Sequence, residues 1–149
     1  MAQDSRISVG VSGHKEGVQL VIEAGGKRVM VVDDSATMRM FLIFHLIKML
    51  PGVKISEAVD GVDALEQLRR YEVDMVLTDM NMPRMGGADL VSAIRNDLKL
   101  DIPVIIITTK GETADRQRGL EVGADGYITK PLDIFEFRNI LWRHLGRGR

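Results

Sequence analysis

Five residues could do chemistry together if the fold gathers them: the adjacent pair Asp33 and Asp34, then Asp79, Thr108 and Lys130. Each ends or follows a short apolar run: Val29-Met30-Val31-Val32, Met75-Val76-Leu77-Thr78, Ile102 through Thr108, and Gly126-Tyr127-Ile128-Thr129. Runs of this length, bounded by turn formers, read as buried strands. In an open α/β sheet the C-terminal ends of the parallel strands share one edge, which is where such sheets place their ligands. Three carboxylates, one hydroxyl and one ammonium would then converge. Crowded carboxylates repel unless a cation sits among them, and hard oxygen ligands suit Mg2+, or Mn2+ in its place. An aspartate oxygen beside such a cation, faced by a hydroxyl and a fixed positive charge, can neutralise the equatorial oxygens of a phosphoryl group in transfer. A lone Asp at a strand end would be only a cap or turn residue.

The elements that must position these groups follow a strict alternation after Arg28. The strand 29–32 leads to a helix from Ala36, capped by Asp34 or Ser35, that stops before Pro51-Gly52. A second strand, Val53 to Glu57, is more polar, as suits an edge. Asp60 caps a helix through about Arg70 with Val62, Leu65 and Leu68 on its inner face, and the Asp79 strand is followed by a helix from Gly87 to Asn96. The fourth strand, Ile102 to Thr108, is the most apolar and belongs at the centre. A helix from Thr113 to Glu121, a strand from Asp125 to Thr129 and a last helix, capped by Asp133 and reaching Leu145, complete the pattern. Five β-α units predict a doubly wound α/β fold, a five-stranded parallel sheet with helices on both faces and right-handed crossovers.

With 149 residues and 45% hydrophobic content, the chain suits one domain with a real core. A net charge of -1 gives no bulk electrostatic case for nucleic acid or membrane. The absence of cysteine excludes disulfides and thiolate metal sites. The N-terminus has no signal pattern, and no run approaches the roughly 18 apolar residues of a membrane span. A cytoplasmic protein is expected.

Residues 1–26 form an N-terminal extension of different character, carrying Gly10, Gly13, Gly17, Gly25 and Gly26. Two period-2 runs, Arg6 to Val11 and Val18 to Glu23, flank a polar loop around His14, which reads as a β-hairpin or as a disordered leader. No second metal ligand lies near His14 at metal-site spacing. The compact domain spans 27–146, and 147–149 are a short basic tail.

The chain resembles the receiver domain of two-component response regulators, the CheY-like family, over 27–146. The resemblance rests on Val32-Asp33-Asp34-Ser35, Asp79-Met80-Asn81-Met82-Pro83-Arg84-Met85-Gly86-Gly87, Ile107-Thr108-Thr109 and Lys130-Pro131, each at the end of its expected strand. It implies a flavodoxin-like sheet with strand order 2-1-3-4-5. It implies Asp79 as phosphoacceptor, taking phosphoryl from a histidine kinase, a histidine phosphotransfer protein or a small phosphodonor. Asp33, Asp34, Asp79 and the backbone carbonyl of Asn81 would place Mg2+, and Thr108 and Lys130 would bond phosphoryl oxygens. Tyr127 would act with Thr108 as a switch, and the fourth helix, fifth strand and fifth helix would form the downstream binding face. A cis Lys130-Pro131 bond fits the resemblance.

Some positions depart from the pattern. Thr109 stands where alanine is frequent. Asn81 and Lys110 occupy positions that tune dephosphorylation in similar proteins. Gly87 after Gly86 is expected to loosen the start of the third helix. The first helix carries two apolar stripes: Met38, Phe41, Leu42, Leu46 and Met49 toward the sheet, and Met40, Ile43, Phe44 and Ile47 on the opposite side. The outer stripe is expected to be covered by the N-terminal hairpin, by a second copy of the chain or by a phosphodonor's helical bundle. His45 reads as a core or boundary histidine. In the last helix, Ile134, Phe135, Phe137, Ile140, Leu141 and Leu145 should form the buried stripe, with Trp142 at its edge and basic residues opposing the helix dipole.

These readings predict a stand-alone response regulator, a chemotaxis-type effector or phosphorelay shuttle, with self-directed chemistry rather than enzymatic turnover. Met80, Met82 and Met85 around the site suit adaptable contacts or core packing equally. The competing class is a small metal-dependent phosphohydrolase with an Asp nucleophile, which resembles the haloacid dehalogenase type and wants a second acid where this chain has Asn81. A flavodoxin-like flavin carrier is disfavoured by the acidic Asp33-Asp34-Ser35 loop, which would repel a phosphate.

Overall fold

The computed structural model describes residues 8–14, 17–23, 26–109 and 113–145. β1 (Ser8–His14) and β2 (Gly17–Glu23) pair antiparallel as a separate ribbon. There follow β3 (Arg28–Val32), α1 (Ala36–Met49), β4 (Lys54–Ala58), α2 (Gly61–Leu68), β5 (Met75–Thr78), α3 (Gly87–Asn96), β6 (Val104–Thr108), α4 (Thr113–Glu121), β7 (Gly126–Thr129) and α5 (Ile134–Leu145). The main sheet has the order β4-β3-β5-β6-β7, all parallel, which is 2-1-3-4-5 counted from β3. A polar edge strand and a fully buried β6 fit the sequence reading.

Successive strand side chains point to opposite faces, and the core divides accordingly. Met30, Val32, Val76, Val104, Ile106 and Tyr127 pack with residues of α2 and α3. Val29, Val31, Met75, Leu77, Ile105, Ile107 and Ile128 pack with α1 and α5. Both faces of every central strand are covered, so the strand sequences run apolar without alternation.

Element ends differ from expectation by a residue or two. β6 starts at Val104 rather than Ile102 because Pro103 has no N–H for the ladder, although its carbonyl still accepts from Val76. α2 ends at Leu68, and Arg70 N–H bonds the Gln67 carbonyl in a tighter closing turn. Ser35, not Asp34, caps α1, its Oγ accepting from Met38 N–H at 3.2 Å. The Lys130-Pro131 bond is cis.

Two helix faces are corrected. Phe41, expected inside, is 40% exposed, and Ile43, expected outside, packs partly against the core. α1 is apolar on most of its circumference, so its own pattern does not fix its rotation. Met40, Phe44 and Ile47 remain 69%, 55% and 55% exposed, so the described chain does not bury the outer stripe. His45 is a boundary residue, its ring edge-on to Phe41 and Phe44. Phe135 is 68% exposed in the first turn of α5, and the buried face begins at Phe137.

Candidate functional site

Strand register brings the five residues to one rim. Val32 pairs with Thr78, so the residues that follow them, Asp33 and Asp79, emerge side by side. Asp79 N–H bonds the Val32 carbonyl at 2.9 Å, and Asp33 N–H bonds the Ala58 carbonyl at 3.1 Å. Thr108 pairs with Thr129, and Lys130 N–H reaches the Thr108 carbonyl at 2.7 Å. Backbone ladder bonds therefore continue one residue past three of the strands and fix the chemical groups at the rim.

The side chains meet. Lys130 Nζ lies 3.3 Å from Asp33 Oδ2 and 3.9 Å from Asp79 Oδ1. Asp33 is almost fully buried and its Oδ1 also accepts from Ser35 N–H at 2.8 Å. Asp79 Oδ1 accepts from Met80 N–H at 2.8 Å, and the Thr108 hydroxyl is a further hydrogen-bond partner of this carboxylate. Burial raises the Asp79 pKa above the ordinary 3.8, opposed by Lys130, reinforced by Asp33, and opposed again by the Met80 and Thr108 bonds. The consequence is a carboxylate oxygen more basic than usual and held in a fixed direction.

Asp33, Asp34 and Asp79 each offer an oxygen, all within 4.8 Å of one another. Asp34 is exposed and turned to solvent, Asp33 is buried and Asp79 lies between. Hard donors so arranged at a solvent-facing rim fit a divalent cation of the magnesium kind. Asn81 sits two residues past Asp79 in an exposed loop. Thr109 is exposed beside Thr108, and Lys110 lies outside the described residues. Tyr127 is buried among Met80 and Ile106, so the proposed switch aromatic faces inward in this structure.

Two residues that shape the site, Arg39 and Arg84, were not assigned roles from the sequence, and a third, Gly87, acts differently from its expected role. Arg39 Nη1 donates to the Asp33 carbonyl at 2.7 Å while its Nε holds Glu57 at 3.0 Å. Arg84 bonds Asp60 through two nitrogens. Gly87 leaves no room for a side chain, since a Cβ there would lie 2.3 Å from the Asp79 carbonyl oxygen. The expected loosening at Gly87 is thus replaced by a close backbone approach, which the paired glycines signalled but did not locate.

The model of the response regulator receiver domain matches residues 29–141, and the chain belongs to that family. It is 41% identical over 107 residues to chemotaxis protein CheY1 of Helicobacter pylori, covering 70% of this chain and 86% of that protein. It is 40% identical over 107 residues to the phosphate regulon transcriptional regulatory protein PhoB of Escherichia coli, covering 71% of this chain but 46% of PhoB. Among solved structures, Vibrio cholerae chemotaxis protein CheY4 superposes with a TM-score of 0.72 at 30% identity, over 80% of this chain and 99% of CheY4. A chain of the CheX-CheY-BeF3-Mg+2 complex from Borrelia burgdorferi superposes with a TM-score of 0.73 at 28% identity, over 80% and 90% of the two chains. Receiver domains bind Mg2+ in an acidic pocket, and Asp33, Asp34 and Asp79 form an acidic cluster here. No helix among the described residues is long and apolar enough to cross a membrane.

Proposed function

We propose that this chain is a phosphorylation-controlled receiver in which Asp79 takes a phosphoryl group from a histidine kinase or a histidine phosphotransfer protein and thereby changes its affinity for a partner. The carrying observation is the single Lys130 ammonium shared between Asp33 and Asp79. An Asp79 oxygen forms the new O–P bond as the phosphohistidine N–P bond breaks, and the freed imidazole keeps the electron pair and takes a proton. Because the transfer is loose and metaphosphate-like, positioning and positive charge supply most of the catalysis. Lys130 offers charge to one equatorial oxygen and Thr108 a hydroxyl to another. Held by Asp33, Asp34, Asp79 and the Asn81 carbonyl, Mg2+ would neutralise developing charge on the phosphoryl oxygens; Mn2+ has the same donor preference. The chemistry is self-directed, so the chain is a switch rather than a turnover enzyme, working in the cytoplasm as an effector or a shuttle.

Thr108, at the end of β6, and Tyr127, which pairs with Ile106 two residues before it, are the switch pair of this reading. The downstream partner binds the α4–β7–α5 face, where Arg116, Leu120, Phe135, Glu136 and Arg143 line a shallow cleft. The exposed Leu120 and Phe135 there give a partner apolar anchors. The outer face of α1, exposed at Met40, Phe44 and Ile47, is a surface onto which the N-terminal ribbon can close. Supporting this, β2 runs beside α1. A two-stranded ribbon is marginal alone and gains stability from such packing. A homodimer through Met40, Phe44 and Ile47 is the competing arrangement.

Mass measurement after incubation with Mg2+ and acetyl phosphate or phosphoramidate tests the central step. A phosphate-sized gain is expected in the parent and none in Asp79→Asn. A parent that gains nothing, or a variant that gains equally, overturns the reading.

A further inference from the structure

We infer that Arg84 is a positioning residue, which through Asp60 straps the segment from Met80 to Gly87 to the start of α2 and so holds the Asn81 carbonyl in place. The inference rests on the receiver reading for the role of that carbonyl, but the strap itself is visible in the geometry.

Arg84 has a φ of 63°, in the left-handed region. A side chain costs on the order of 1 kcal/mol there, whereas glycine adopts it freely. Such a conformation persists where its surroundings over-determine it. Here the constraint is a two-pronged ion pair: Arg84 Nε donates to Asp60 Oδ2 at 2.6 Å, and Nη2 donates to Oδ1 at 3.0 Å. Two parallel bonds fix the guanidinium plane as well as its distance.

Asp60 is a firm anchor. It is 3% exposed, and its Oδ1 also accepts from Asp63 N–H at 2.9 Å, capping α2. Its carboxyl is held below the ordinary 3.8, first by the Arg84 bonds and against the cost of burial. Without Arg84 this buried anion would lose its counter-charge, so the pair is favoured by Asp60 as much as by the loop. A second tie runs beside the first, Gly61 N–H to the Met85 carbonyl at 3.0 Å.

The strap closes a ring around the acidic pocket. Inside the segment, Gly87 N–H bonds the Met80 carbonyl at 2.8 Å, so the loop is closed at its base. On the α2 side, β4 ends at Ala58, whose carbonyl accepts from Asp33 N–H. The path from Asp33 through Ala58, Asp60 and Arg84 to Asn81 and Asp79 is therefore continuous in bonds. Asp79 N–H closes it on Val32, the neighbour of Asp33. Cutting the path at the ion pair loosens the loop, which keeps only its Gly61 and Gly87 backbone ties among those named, while leaving the three carboxylates and their strands in place.

The test is a calorimetric Mg2+ titration of the full chain and its Arg84→Gly, Arg84→Lys and Asp60→Asn variants, with thermal melts alongside. Glycine keeps the left-handed backbone and asparagine keeps a capping oxygen, so both variants can fold. The expected result is Mg2+ binding weaker by about tenfold in Arg84→Gly and Asp60→Asn, the lower end of what partners of metal ligands contribute. Arg84→Lys recovers part of the loss, because an ammonium makes one bond where the guanidinium makes two. Mg2+ affinities within about twofold of the parent in both cut variants, whatever their melting temperatures, would show a merely structural ion pair and overturn the inference. A parent that takes up no Mg2+ instead defeats the receiver reading itself, and the positioning role with it.

Discussion

The Lys130 ammonium sits 3.3 Å from Asp33 and 3.9 Å from Asp79, so one cation balances two carboxylates of the acidic cluster together. Both neighbours are largely shielded from water, which strengthens their coupling to Lys130. Removing the charge while keeping the chain's bulk, Lys130→Met, should slow phosphoryl uptake from acetyl phosphate by about 100-fold, in the range found for loss of one transition-state charge partner. Initial rates from intact mass would show it. A rate equal to the parent's would remove Lys130 from the chemistry.

Asp79 gives a pH signature before any phosphoryl group is involved. Its native pKa is raised above 3.8, chiefly by burial, so the folded state binds more protons than the unfolded state between 3.8 and that native value. Stability from this group therefore falls as pH rises through the window and stays lower above it. Without divalent metal, Asp79→Asn should melt above the parent at pH 7. The difference should shrink toward pH 3.8, and Mg2+ should narrow it at pH 7 by binding the parent. A variant that melts lower than the parent at pH 7 contradicts this.

Gly87→Ala tests the close approach behind the acceptor. The added carbon meets the Asp79 carbonyl oxygen at 2.3 Å and the Met80 Cα at 3.1 Å, both backbone atoms that cannot rotate away. Overpacking of this kind costs about 1–3 kcal/mol. Urea unfolding should show that loss, together with slower phosphoryl uptake because the displaced atoms belong to Asp79. A stable, fully active variant would mean that the loop shifts freely.

The cover over α1 can be read by a spin label. The chain has no cysteine, so Gln19→Cys places a nitroxide uniquely on β2. In the labelled chain, amide signals of residues 40–48 should broaden. Broadening should be absent when spin-labelled chains are mixed with isotope-labelled chains that carry no nitroxide. Broadening in the mixture identifies a second copy instead, and none in either sample leaves Phe44 open to solvent.

The sheet and the five reactive residues were legible because each reactive residue sits directly at a strand end, where order along the chain and parallel topology together dictate position. The two arginine contacts were not. Arg84 and Asp60 are 24 positions apart, and nothing in local pattern links a loop residue to a helix cap. Arg39 drew no role from the pattern of the first helix, although its length lets it reach from α1 to the Asp33 carbonyl. The rotation of α1 was misjudged at Phe41 and Ile43 because apolar residues surround most of that helix. Phe135 was misplaced because periodicity does not tell a first turn projecting beyond the sheet from the turns lying on it. The ribbon's partners in space depend on packing that its alternation alone does not specify.

Met80 joins two regions that are otherwise separate. Its amide holds the Asp79 carboxylate, while its thioether tip lies in the crowded spot shared by Gly119 of α4, Ile106 and Tyr127. The acyl phosphate proposed at that carboxylate would disturb the amide's acceptor. A shift of that one side chain would press directly on α4 at Gly119, because the space there is already filled.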